Sequence, residues 1–407
     1  MRRVGKDEPE VTMELKELIK QKTDAIFSEV VQHYQWLHQH PELSYLERVT
    51  AAYIADYLQR EGIPFKKGIG GEGILATIKG TREGSGKCMA FVADMDALPV
   101  TEQNEVPYKS VNNGVMHACG HDAQAASLMG AVKMVNDLRD RFAGTALFVF
   151  QPGEERSPGG ADLMLKDGLF SEHNPDLVVK QHAYTDLPAG MVGFHAGTIM
   201  ASADEVHIKV KGQGGHGALP HELNDTVLAA SQIIVAMQQL VSRRANPFHP
   251  MVLSFGKFIA DGATNVIPGV VTLAGSLRCM QEEERQRMLQ LIPQIATDTA
   301  AAYGCSCEVD LPQGYPSVIS DEQITGHIRA LTADLLGEKR VSEFPKRMTA
   351  DDFGFFSQRY RCCYYRFGVD GDYRKTGPLH SGTFLIDEQA LKTSTALPAW
   401  LTLNSLK

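Results

Sequence analysis

Apolar residues recur at helical spacing over residues 13–40, where Leu15, Leu18, Ile19, Ile26, Val30 and Val31 lie among charged positions. That pattern predicts an amphipathic helix. A second helix is expected over 46–61, after which Gly68, Gly70, Gly71 and Gly73 break the periodicity. Four short apolar runs follow: ILATI at 74–78, CMAFVAD at 88–94, TALFVFQ at 145–151 and LVVKQHA at 177–183. Helical stretches near 122–139 and 160–168 separate most of them. Apolar strands alternating with helices predict an α/β layer whose sheet is covered on both faces.

The texture changes near residue 200. DEVHIKVKG at 204–212 alternates like a half-exposed strand, and a long helical stretch covers 224–244. Strands are expected near 250–259 and 270–280, then a helix over 282–303 and a strand near 305–312. The order β-α-β-β-α-β is the split βαβ arrangement, a self-contained α+β unit. Beyond residue 320 the α/β texture returns, with a helix at 321–336, the strand CCYYRFG at 362–368 and a closing helix at 387–401. The expected architecture is therefore a discontinuous α/β domain, residues 13–198 and 313–407, interrupted by a smaller α+β insertion at 199–312.

Composition narrows the function classes. At 407 residues the chain is too long for one ordinary domain, consistent with two. Hydrophobic residues at 43% and charged residues at 22% exclude disorder, collagen and coiled coil. A net charge of −9 argues against nucleic acid as a partner, since such binders carry a basic patch or stripe. The seven cysteines are odd in number and irregularly spaced, which predicts reduced thiols in a reducing compartment. The start MRRVGKDEPEV lacks the apolar core of a secretory signal, and no apolar run reaches 18 residues. A soluble cytoplasmic protein without a membrane partner is expected.

Candidate chemistry lies where predicted strands end and loops begin, the usual ligand position in open α/β sheets. The segments are ADMDALP at 93–99, MHACGHD at 116–122, QPGEE at 151–155, KQHAY at 180–184 and PLHSGTF at 378–384. In an extended MHACGHD, His117, Cys119 and His121 would face one side, and thiolate with imidazole suits zinc and related divalent ions. A buried thiol with backbone-satisfied histidines explains the same residues. The pair Glu154-Glu155 also fits a solvated turn, although it follows an apolar strand and Pro-Gly rather than a charged helix face. His182 and His380 taken singly fit core or surface histidines. Jointly, the thiol, the histidines and the two acids fit a two-metal hydrolytic centre.

MHACGHD, QPGEER, His182, TNVIP at 264–268 and LHSGTFLIDE at 379–388 together resemble one metallopeptidase superfamily, the dinuclear aminoacylases and exo-carboxypeptidases. The cysteine in HACGHD resembles the amidohydrolase subgroup of hippurate hydrolases, indole-acetyl-amino-acid hydrolases and N-acetyl-diaminopimelate deacetylases. The resemblance runs from WLHQHPELS, near residue 36, to residue 388. It implies two divalent metal ions per chain, zinc or manganese foremost and cobalt or nickel as alternatives. Cys119 would be shared between them, His121 and His182 would complete one site, and Glu155 and His380 the other. Glu154 would be the general base, and Asp96 would orient a ligand. The insertion would be a lid and dimerisation domain on a catalytic α/β domain, making a homodimer. Its His216 would reach the substrate carbonyl from the partner subunit, while Asn265 and Arg278 would bind the substrate carboxylate.

The implied reaction is amide hydrolysis of an N-acyl-amino acid or short peptide by water activated at the metals. A dipeptidase or exo-carboxypeptidase, or a catalytically silent metal-binding relative, remains open. Three segments depart from the family pattern. Val92 stands where arginine is usual, Gln124 where histidine is frequent, and Ala350-Asp351-Asp352-Phe353 replaces Ser-Glu-Asp-Phe. None removes a proposed ligand or the base, so they bear on substrate preference.

Overall fold

The computed structural model describes residues 8–84, 86–371 and 375–407. They divide into two units, the second comprising Thr198–Val318 and Lys346–Gly354 and the first the rest. The sequence pattern places segment 346–354 in the returning α/β part instead. Backbone pairing accounts for the difference: Arg347 N donates to Ile199 O and Ala201 N to Thr349 O, both at 3.0 Å.

The first unit is built on an eight-stranded mixed sheet. Its order is Phe65–Ile69, Gly73–Lys79, Thr145–Gln151, Cys88–Asp94, Leu177–Pro188, Cys362–Asp370, Val192–Phe194 and Val341–Glu343. The four central strands, Thr145–Gln151 to Cys362–Asp370, are mutually parallel. Every residue of Cys88–Asp94 is buried, so both faces of the sheet are covered there. The runs at 88–94 and 145–151 coincide with observed strands. The short strands Val192–Phe194 and Val341–Glu343 carry too few residues for a period-2 signal, and the sequence pattern misses them.

One helix does most to fix the candidate residues. His121–Asp137 is buried at nearly every position, and its small residues let neighbours approach closely. At Gly130 an added Cβ would lie 2.6 Å from Val30 Cγ2 and 2.9 Å from Thr395 Cγ2, on the helices Glu8–Gln39 and Ala390–Ser405. A helix packed on all sides cannot rotate without opening the core, so its first residue, His121, is held rigidly.

The second unit is a four-stranded antiparallel sheet in the order Met251–Ala260, Val270–Cys279, Asp204–Lys211, Ser306–Asp310, with helices Thr226–Gln239 and Glu282–Ala302. In chain order this is β-α-β-β-α-β. Alternation in Asp204–Lys211 buries Val206, Ile208 and Val210 against Ile233, Met237, Met288 and Ile292. Asp225 caps the first helix, accepting from Val227 N and Leu228 N at 3.0 and 2.9 Å. Among the described residues no helix is long and apolar enough to cross a membrane.

Candidate metal centre

The parallel strands of the first unit deliver three of the candidate residues just beyond their carboxyl ends. Asp96 lies two positions beyond Cys88–Asp94, and Glu154 and Glu155 follow Thr145–Gln151. His182 does not end its strand as expected. Leu177–Pro188 continues past it, and His182 is buried opposite Arg366 of the neighbouring strand.

MHACGHD is not extended. Gly120 adopts φ 85°, in the left-handed region that glycine tolerates, and His121 opens the helix. A side chain at Gly120 would also meet Ala183 Cβ at 2.7 Å. The turn separates the histidines. Cys119 and His121 join the cluster, while His117 is buried elsewhere with neither ring nitrogen hydrogen-bonded. Burial pulls His117 down to about 4.

The remaining donors converge. Cys119, His121 and His182 form one group, Cys119, Glu155 and His380 a second, and His121, Glu154 and Glu155 a third; within each the donor atoms lie within 4.8 Å of one another. Cys119 Sγ is 3.5 Å from His182 Nε2, and His380 Nε2 is 3.3 Å from Glu155 Oε1. His121 Nε2 is 3.9 Å from Glu154 Oε2. The other ring nitrogens fix the tautomers. His121 Nδ1 donates to Asp96 O and His182 Nδ1 to Ala183 O, both at 2.9 Å. Each ring therefore turns an Nε2 lone pair toward the cluster. His380 sits on a loop at φ 61°, held by its N–H to Ala118 O at 2.7 Å.

Asp96 is the hub behind this set. Its Oδ2 accepts from Ser44 Oγ at 2.7 Å and Glu155 N at 2.9 Å, and its Oδ1 is 3.2 Å from His121 Nδ1. Burial disfavours its charge, but His121, Glu155 N–H and Ser44 outweigh burial and hold it below the usual carboxylate range.

Protons occupy the cluster when no cation does. Burial and the charge of Glu155 push the Cys119 thiol up. Burial opposes charge on His121, but Cys119, Asp96 and Asp94 prevail and raise it well above the ordinary value. Cys119 and Glu155 raise His380 to about 10. His121 Nε2 is buried with no hydrogen-bonding partner of good geometry. An orphaned imidazole nitrogen among a thiol, two further histidines and two carboxylates is a donor set that fits a pair of divalent cations sharing Cys119.

Several residues behind the cluster escape the sequence reading. Glu47 Oε1 accepts Gly153 N at 2.7 Å, bracing the turn before Glu154, and burial with nearby Asp96 pushes Glu47 up to about 7. His38 is clamped by Asp122 Oδ2 at 2.7 Å and Glu102 Oε1 at 3.1 Å. Lys180 and Asp94 form a fully buried ion pair. Signals for them exist: WLHQHPELSYLE is dense in polar residues for a helix end, and a lysine interrupts the apolar run LVVKQHA.

His216, Asn265 and Arg278 belong to the second unit. His216 is exposed on the short strand Gly215–His216, opposite Val266, and Gly217 N donates to Asn265 O at 2.8 Å. These two residues are therefore neighbours. Arg278 stands on Val270–Cys279, half-buried, and burial draws its pKa down.

The chain is similar to several known proteins. YhaA of Bacillus subtilis (strain 168), provisionally named an amidohydrolase, is 36% identical over 386 residues, covering 95% of this chain and 96% of its own. The N-acetyl-L-cysteine deacetylase of the same organism is 35% identical over 87% of this chain and 83% of its own. The crystal structure of the Bacillus subtilis YXEP protein, described as a dinuclear metal binding peptidase from the M20 family, matches with TM-score 0.80 and 30% identity over 94% of this chain and 99% of that one. The sequence profile of peptidase family M20/M25/M40 matches residues 90–399, and the chain belongs to that family of hydrolases.

Proposed function

We propose that this amidohydrolase-type enzyme cleaves the amide bond of N-acyl-amino acids, or related capped amino acids, to a carboxylic acid and a free amino acid. The observation that carries the reading is the buried carboxylate of Glu154 beside the Cys119, His121, Glu155, His182 and His380 donors. The names of relatives such as the N-acetyl-L-cysteine deacetylase support an acylated amino acid as substrate.

Cys119 with His121 and His182, and Cys119 with Glu155 and His380, would hold the two ions, zinc being favoured by the soft thiolate and manganese by the hard carboxylate. When bound, such a pair supplies Lewis acidity that makes water acidic enough to attack near neutral pH. Glu154 accepts the proton of the attacking water at a carboxylate oxygen and returns it to the leaving amine nitrogen. Asp96, fixed by Ser44 Oγ and Glu155 N, keeps His121 in the tautomer with Nε2 free. His216 donates to the carbonyl oxygen as negative charge develops there. Arg278 offers a planar two-point fork to the substrate carboxylate, with Asn265 beside it.

A homodimer through the second unit is part of the proposal, with His216 acting across subunits. Met251–Ala260 is a sheet edge bearing exposed Val252, Phe258 and Ile259, and the helix Thr226–Gln239 exposes Leu228 and Val235. Unpaired strand edges with apolar side chains favour association. The seven free thiols support a reducing, cytoplasmic setting.

Glu154→Gln tests the mechanism. Turnover of N-acetyl and N-benzoyl amino acids should fall on the order of 10²–10⁴-fold, the usual worth of a general base, with bound metal unchanged. Retained turnover would remove Glu154 from the mechanism. A dipeptide with a free amino terminus should turn over more slowly than its N-acylated form; the reverse would favour a dipeptidase.

A further inference from the structure

Asp94 and Lys180 face each other inside the parallel strands, Lys180 Nζ lying 2.7 Å from Asp94 Oδ2 with both side chains 0% exposed. Neither residue belongs to a donor cluster or to the reaction steps above. Their position is nevertheless adjacent to both. Asp94 Oδ2 is 3.7 Å from His121 Nε2, the ring atom that also faces Glu154 Oε2 at 3.9 Å. Gln151 Nε2 donates to the other oxygen, Asp94 Oδ1, at 3.3 Å.

A carboxylate oxygen there is a hard donor able to ligate any divalent cation that His121 Nε2 reaches. Glu154 and Glu155 already bring carboxylates to the cluster, and a further one at this position would alter its charge and geometry. Lys180 draws Asp94 Oδ2 into a short ion pair instead.

We propose that Lys180 is a positioning residue that pairs with Asp94 and withholds its carboxylate from the candidate metal centre, leaving His121 Nε2 as the donor on that side. The inference rests on reading His121 as a metal donor. Removing one partner of a buried ion pair strands a charge, whereas removing both strands none, and this asymmetry supplies the test. The sheet supplies a second one. Val92 is the register partner of Lys180 and lies two residues before Asp94, so its side chain shares their face of the sheet. An arginine at 92 returns a cation to that face.

The experiment loads metal-free wild type, Lys180→Met, Asp94→Asn/Lys180→Met and Val92→Arg/Lys180→Met with Co²⁺. It reads affinity by chelator competition and ligand field by the visible spectrum of bound Co²⁺. Lys180→Met should change the spectrum and shift affinity at least about 10-fold. The Asp94→Asn double variant should return to the wild-type spectrum, with affinity within about 3-fold, and Val92→Arg should restore most of it. A Lys180→Met spectrum identical to wild type overturns the inference, as does a change that persists in the Asp94→Asn double variant. Should Lys180→Met fail to fold, Lys180→Gln decides, with an intermediate spectral shift expected and none overturning. A wild type that binds no Co²⁺ removes the metal-centre reading and this inference with it. A wild type whose Co²⁺ site is indifferent to Lys180 removes the inference alone.

Discussion

The two units carry their candidate residues in opposite ways. In the first, Cys119, His121, Glu154 and His182 are buried beside the exposed His380, and the rings of His121 and His182 are oriented by backbone carbonyls and, for His121, by Asp96. In the second, His216 and Asn265 stand exposed at a short antiparallel pairing of two distant segments, and Arg278 is half-buried on a sheet strand. Buried donors lose their rotamer freedom on folding, so the cluster is arranged before anything binds. Exposed side chains lose theirs only when substrate arrives. On the proposed reading, the first unit holds the metals and the general base, and the second adds contacts that form only once substrate is present.

If that division holds, the largest effect belongs to protons in the cluster. His380 is raised to about 10, and Cys119 and His121 are raised as well, so a metal must displace protons at neutral pH. Affinity should therefore rise with pH through the neutral range. The gain is on the order of 100-fold over two pH units for each proton displaced. Chelator-competition titrations at several pH values read the slope directly; a flat profile would mean these groups do not bind the ion.

Smaller effects are expected from the second unit. His216→Ala should lower kcat roughly 10–10³-fold, as removal of an oxyanion donor does, with bound metal unchanged. Arg278→Lys should raise KM about 10-fold with kcat nearly kept, because a point charge replaces a two-point fork. Unchanged kcat in His216→Ala, or unchanged KM in Arg278→Lys, would remove the role proposed for that residue. A strictly monomeric enzyme with full activity would remove His216 from a cross-subunit role.

A further effect concerns the frame behind the cluster and is read in stability, not in turnover. Burial opposes charge on His38, but Asp122 and Glu102 raise it from 6.5 to about 9. A raised folded-state value adds stability that is complete below pH 6.5 and lost as pH rises through 9. Its size is on the order of 3 kcal/mol. Thermal unfolding of metal-free protein between pH 6.5 and 9.5 should decline accordingly, and His38→Gln should flatten that decline. A His38→Gln profile parallel to wild type would contradict the linkage.

The same contrast governs how much is legible in the sequence. Glu154 and Glu155 sit just past a strand end and Cys119 and His121 at a helix start, in short segments where residue type and position are visible together. The apolar runs 88–94 and 145–151 coincide with strands because burial on both faces leaves an unbroken hydrophobic signature. The shape of MHACGHD is not legible. Gly120 at φ 85° turns the chain, so alternation in sequence does not mean a shared face, and His117 lies apart from the other two. Val92 is visible as a departure from the family's arginine, but its setting needs the register that puts Lys180 opposite it and Asp94 within reach. Long-range partners such as Ser44 with Asp96, or Glu47 with Gly153, leave no local periodic trace.

The most direct test of the first unit as a two-metal centre is metal stoichiometry in wild type and Cys119→Ala, purified without chelators and reconstituted with Zn²⁺ or Mn²⁺. Because Cys119 belongs to both three-residue groups on either side of the cluster, its loss should weaken both sites at once. The expected result is about two ions per chain in wild type, the number a two-metal centre holds, and fewer than one in Cys119→Ala, with activity lost in parallel. Two tightly held ions and full activity in Cys119→Ala would contradict the account.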